Sequence, residues 1–163
     1  MLLHDEATGI VQAPPARLFE HLDDPRRLSG HMSQSSAMML GSRMAIELDA
    51  AAGRAVGSKM RLTGRVLGIP IFLEEVVTEH VPPNHKTWQT IGTPRLLVLS
   101  HYTMGFEATP EGAASRLRVF IDYALPTSGL SRWLGLLLGR LYARWCTAQM
   151  VNDAIKEFNR RAS

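Results

Sequence analysis

Leu130–Arg161, LSRWLGLLLGRLYARWCTAQMVNDAIKEFNRR, is the longest uninterrupted periodic stretch of the chain. Leu130, Trp133, Leu134, Leu137, Leu138, Leu141, Trp145, Ala148, Ile155 and Phe158 recur at spacings of three, four and seven. That is the period of a helix with one buried face. No proline breaks it, Pro126 and Gly129 precede it, and Ser128 or Ser131 can cap its start. A single long helix needs a broad partner for its apolar side, and a curved antiparallel sheet supplies one. The helix is expected to close a cavity, with Leu134 to Leu141 as one wall.

Upstream, the chain alternates with period two between tight turns. Glu6–Ala13 reads as a first strand. Pro14-Pro15 and then Asp23-Asp24-Pro25 each place proline at the first positions of a short helix, the second with an aspartate cap. Ser33–Gly41 is polar, then methionine-rich, and reads as a loop near a cavity mouth. Five strands follow over Arg43–Asp49, Val56–Val66, Ile71–Glu79, His85–Ile91 and Leu96–Phe106, and a last one over Arg116–Leu125. AAAGR, LGIP, PPN, GTP and TPEG mark the turns. Short connections imply antiparallel pairing. The expected fold class is α+β: a curved seven-stranded antiparallel sheet wrapped around a long C-terminal helix, with two short helices after strand 1, in one domain over residues 1–163.

The totals exclude several classes. The formal charge is +3, and from Leu130 onward Arg132, Arg140, Arg144, Lys156, Arg160 and Arg161 face two acids, Asp153 and Glu157. The positive excess of the chain therefore lies on this helix, which suits a solvated face or a weak membrane-surface contact. No zinc spacing, helix-turn-helix or basic–aromatic pattern points to nucleic acid. There is no phosphate loop, dinucleotide fingerprint or G-x-S-x-G nucleophile motif, so neither a metal nor a cofactor is expected. The N-terminus MLLHDEATGI lacks a signal-peptide core, and Trp133–Leu141 is far short of a membrane span. The one cysteine, Cys146, reads as a core or groove thiol. A cytoplasmic chain is the expectation.

Two segments resemble a known family. IVQAPPARLF (Ile10–Phe19) followed by LDDP (Leu22–Pro25) looks like the opening of the START / polyketide-cyclase / birch-pollen-allergen-like superfamily. There a first strand ends in A-P, a helix carries V-F and D-P begins a second helix. RLRVFIDYALP (Arg116–Pro126) is similar to that superfamily's last strand before its long helix. This chain has Gly30-His31 where those relatives often lead to a tryptophan. The resemblance covers the whole element order. It implies a helix-grip fold with a cavity for lipids, sterols, polyketides, quinones or similar molecules, in a superfamily that includes carriers, cyclases and aromatases, ring-oxygenase domains and co-chaperones. Fold alone does not choose among these.

By alternation the cavity is lined by Met44, Ile46, Leu48, Met60, Leu62, Tyr102, Met104, Ile121 and Tyr123, with Leu134, Leu137, Leu138 and Leu141 from the helix. Met38 and Met39 cover the entrance, and His31 is an acid/base candidate at the mouth. Methionines suit an adaptable apolar pocket. Tyr102 and Tyr123 need hydrogen-bond partners if buried, from the protein or from a ligand. His101, Glu47, Asp49 and Asp122 fall outside. Either Glu74 or Glu75 must point inward, and parity leaves the choice open. The leading expectation is a carrier or sensor of an apolar small molecule. A cyclase or aromatase using Tyr102, Tyr123, His31 and one glutamate is the alternative, and a partner-binding module with a filled core is the third.

Overall fold

In a computed structural model, which describes residues 1–28 and 44–163, the chain runs β1 (Leu3–Val11), α1 (Pro15–Leu22), α2 (Pro25–Leu28), β2 (Met44–Leu48), β3 (Lys59–Val66), β4 (Ile69–Val81), β5 (His85–Arg95), β6 (Tyr102–Glu111), β7 (Ala114–Tyr123) and α3 (Gly129–Ala162). The strands form one antiparallel sheet in the order β1-β7-β6-β5-β4-β3-β2. The expected element order therefore holds.

Several strand ends shift by a few residues, and one shift changes a connection. Gly92-Thr93-Pro94 does not end β5. Ile91 pairs with Glu74 and Arg95 with Phe72, so the extra residues bulge out and the strand continues. Gly92 makes this possible with a φ of 67°, in the left-handed region that favours glycine. Consequently residues 96–101 are a connection rather than the start of the next strand, which begins at Tyr102. The second short helix is described only as far as Leu28, so His31, Met38 and Met39 lie outside the described residues.

Alternation governs the sheet. Val11, Met60, Leu62, Leu73, Val77, Trp88, Met104, Phe106, Leu117, Val119, Ile121 and Tyr123 are buried on its concave side. At one end α1 and α2 are tied down by an ion cluster. The Lys86 ammonium, its side chain 1% exposed, donates to the carboxylate of Asp23 at 2.9 Å and to the Asp23 carbonyl at 3.0 Å. His80 Nε2 lies 3.0 Å from both Asp23 carboxylate oxygens, and Phe19 packs edge-on against the His80 ring. Asp24 caps α2, accepting from the Arg26 N–H at 3.0 Å.

The long helix forms almost over the expected span, but it is rotated relative to expectation. Ser128 is at its N-cap and makes no side-chain cap hydrogen bond. Its buried residues are Gly135, Gly139, Ala143, Cys146, Thr147, Met150, Val151, Ala154 and Phe158. Leu137, Leu138 and Leu141 are exposed instead of facing inward. The reason is close approach: α3 packs on β1 and β7, and a Cβ on Gly139 would stand 2.6 Å from Leu125 Cδ2 and 3.0 Å from the Val98 carbonyl oxygen. Small residues let the helix backbone settle there, and large ones must point away. Gly139→Val is therefore expected to cost about 1–3 kcal/mol by overpacking, read as a lower urea midpoint, whereas Leu137→Ala changes it little.

Candidate functional site

β4 decides the question left open by the glutamates. Ile71, Leu73, Glu75 and Val77 alternate inward and are all buried, while Glu74 faces out, with Arg61 at 3.8 Å. Glu75 is 6% exposed. The Tyr102 hydroxyl donates a hydrogen bond to its Oε1, and the Trp88 side chain donates another. Among the described residues no lysine or arginine forms an ion pair with it. Burial pushes the Glu75 carboxyl up to about 7, against the smaller opposing pull of Tyr102, Trp88 and the more distant Lys86. Tyr102 is held neutral well above the usual phenol range, by burial first and then by the Glu75 charge.

The sheet and helix contributions converge at this point. Thr90 Oγ1 accepts from the Tyr102 backbone N–H at 3.1 Å and so steadies β6 beside β5. From α3, Tyr142 hydrogen-bonds Cys146, and both lie close enough to Tyr102 to raise its pKa further. Burial pushes the Cys146 thiol up to about 12, so it is protonated and a poor nucleophile at neutral pH. Met60, Leu62, Leu73, Leu99 and Met104 supply the buried apolar side chains of the same interior. The result is a carboxyl–phenol–indole group among buried, predominantly apolar side chains between sheet and helix. Such a group can donate to or accept from a carbonyl or hydroxyl, and it can move a proton near neutral pH.

The overall fold recurs in solved structures. The Zhui aromatase/cyclase from Streptomyces sp. R1128 superposes with a TM-score of 0.74 at 16% identity, covering 100% of this chain and 97% of that one. Norcoclaurine synthase from Thalictrum flavum, in complex with dopamine and hydroxybenzaldehyde, gives 0.66 at 14% identity, with 100% and 89% covered. Ara h 8.0201 gives 0.59 at 12% identity, with 93% and 98% covered. This is a helix-grip fold. It is the fold of the START / polyketide-cyclase / birch-pollen-allergen-like superfamily, as the element order led one to expect. No protein-family model and no curated protein matches the sequence.

Within the helix grip, the expected lining residues divide. Met44, Met60, Leu62, Met104 and Ile121 are buried, and Ile46, Leu48 and Leu134 are half-buried. Tyr102 and Tyr123 are register partners on β6 and β7, but their hydroxyls bond to different strands, β4 and β1. Tyr102 turns to Glu75. Tyr123, fully buried, donates to Asp5 Oδ2 at 2.7 Å on β1, with Arg140 of α3 also in hydrogen-bond contact. Burial and Asp5 raise the Tyr123 pKa. Leu137, Leu138 and Leu141 are no part of this interior. His101 is exposed, as its parity suggested. Among the described residues no group of three or more His, Cys, Asp or Glu side chains could hold a metal ion.

Sequence reasoning did not single out Trp88, Thr90 or Tyr142 as members of a site. The first two carried a usable signal: Lys86, Trp88 and Thr90 share one parity on β5 and are all buried. Tyr142 had none, because its role follows from how α3 is rotated.

Proposed function

We propose that this protein binds an apolar small molecule bearing a carbonyl or hydroxyl group between its sheet and α3, as a carrier or sensor. Glu75 carries the reading. A buried carboxyl with two neutral donors and, among the described residues, no ion-paired cation is costly to keep, and an apolar residue at the same position would fill the core more cheaply. Burial of apolar area supplies affinity in such a site, and a few polar groups fix orientation. The small aromatic molecules held by norcoclaurine synthase support a ligand of this general kind.

A second reading is favoured by the same residue. A carboxyl that titrates near pH 7 and is hydrogen-bonded to a tyrosine is suited to general acid–base chemistry on a bound carbonyl compound. The likeness to an aromatase/cyclase supports a cyclase-like reaction.

Native mass spectrometry after incubation with a fatty acid, a short-chain quinone, a sterol and a flavonoid tests both. A one-to-one adduct recovered unchanged supports the carrier; a recovered compound of altered mass or chromatographic retention supports the enzyme. No adduct with any of the four removes the support for both. For whichever compound binds, Tyr102→Phe is expected to weaken affinity by about 5- to 15-fold, because Glu75 then lacks the Tyr102 donor.

A further inference from the structure

The rotation of α3 leaves Trp133 and five of its six leucines on the outside. Leu130 is 69% exposed, Trp133 64%, Leu137 76% and Leu141 56%, with Leu136 and Leu138 exposed beside them. Leu130, Leu137 and Leu141 are spaced i, i+7 and i+11, which places them in one line along the helix. Contiguous exposed apolar surface of this kind marks an interaction site in a soluble domain.

The charge along this half of the helix has one sign. Arg132, Arg140 and Arg144 are exposed on the same half of the helix, and residues 123–152 contain no Asp or Glu. A groove of about 440 Å³ adjoins the start of this face, between Met1 and Leu3 on one side and Arg132 and Leu136 on the other. A second copy seated on the same patch by two-fold symmetry would bring arginines towards arginines with no carboxylate from the first half of α3 between them. An anionic surface neutralises them. Among the described residues no helix is long and apolar enough to cross a membrane. A leucine- and tryptophan-bearing face flanked by arginines is what lies in the plane of a bilayer interface.

We propose that the outward face of the first half of α3 docks the protein on the surface of a bilayer containing anionic lipid. Trp133, Leu137 and Leu141 enter the boundary between headgroups and acyl chains, and the arginines meet lipid phosphates. This contact uses the outside of the helix, so it neither requires nor excludes a ligand inside the protein.

Flotation of the full chain with phosphatidylcholine vesicles, with and without phosphatidylglycerol, tests this. Binding is expected with phosphatidylglycerol at low salt, with little on pure phosphatidylcholine. Arg132→Gln/Arg144→Gln is expected to lower the partition coefficient by about 10- to 30-fold, from about 1 kcal/mol per arginine at an anionic surface. Leu137→Glu/Leu141→Glu should abolish flotation, and circular dichroism of both variants should be unchanged because all four positions are exposed. Brominated lipid chains should quench the tryptophan emission of the parent protein and not that of Trp133→Phe. Absence of flotation, or equal flotation on both vesicle types, overturns the proposal. So does a dimer in light scattering that Leu137→Glu/Leu141→Glu dissociates while no vesicle binding is seen. None of these outcomes bears on ligand retention by mass spectrometry, so the two proposals fail separately.

Discussion

Asp23→Ala is expected to lower the stability of this protein by about 3–5 kcal/mol at pH 7, the loss typical of breaking a buried ion pair from one side. Lys86 is the reason. Its side chain is 1% exposed, and its ammonium is held by the Asp23 carboxylate at 2.9 Å and the Asp23 carbonyl at 3.0 Å. Alanine keeps the carbonyl and removes the countercharge, leaving a buried cation with one acceptor. For a chain of this size the loss corresponds to a fall in melting temperature of the order of 10 °C. Burial already lowers the pKa of Lys86, and Asp23 opposes that shift. Without Asp23 the folded-state pKa of the lysine falls further, so it deprotonates at still lower pH than in the unfolded chain. The unfolded chain then binds more protons through the alkaline window, so stability rises with pH there. The deficit of Asp23→Ala should accordingly narrow as pH is raised. Asp23→Leu/Lys86→Met should recover most of the loss, because removing both charges leaves no orphan. Additive single and double losses in urea denaturation would show that the pair is not coupled.

That cluster also marks a limit of what was legible in the sequence. Asp23 and Lys86 are 63 positions apart, and nothing local pairs them. Asp23-Asp24-Pro25 could be read as a cap and a helix start, and Asp24 does cap α2. The neighbouring aspartate has a tertiary role that no local rule contains. The sheet, by contrast, was readable because period-two alternation and turn residues are local signals that agree with the global fold. Where they disagree, at Gly92-Thr93-Pro94, a residue set that usually turns a chain instead bulges a strand that β4 continues to pair.

The long helix shows a different limit. Its periodicity identified a helix, while the assignment of its buried face followed the largest apolar residues and was wrong for Leu137, Leu138 and Leu141. The competing signal was present. Gly135, Gly139, Ala143, Thr147 and Val151 recur every four residues, a stripe of small side chains that permits close backbone approach, and all five are buried. Hydrophobicity ranks leucine above glycine, whereas a helix 3.0 Å from a carbonyl at its would-be Cβ admits only glycine. The site was half legible for a related reason. Ile71, Leu73 and Val77 already favoured the parity that places Glu75 inside, but the apolar Phe72 and Val76 on the other face obscured it.

Glu75→Gln is expected to stabilise the protein by about 3 kcal/mol at pH 8 and to change it little at pH 5. The sign follows from proton binding. The folded carboxyl titrates near 7, against an ordinary value of 4.5. Between these values the folded state holds a proton that the unfolded chain has released, so stability falls as pH rises through the window and levels off above it. The difference of about 2.5 units corresponds to about 3 kcal/mol. Glutamine preserves the shape and accepts from Tyr102, but it never ionises, so its stability curve should be flat across the same range. Melting temperatures from pH 5 to pH 8 would show the two proteins diverging by about 5–10 °C at the upper end. A parent protein whose stability does not fall over this window would mean that the carboxylate is solvated or paired in solution. A stabilised Glu75→Gln that also loses affinity for the compound retained in mass spectrometry would establish why the acid is there: a group that weakens the fold at neutral pH is kept for what it does to a ligand.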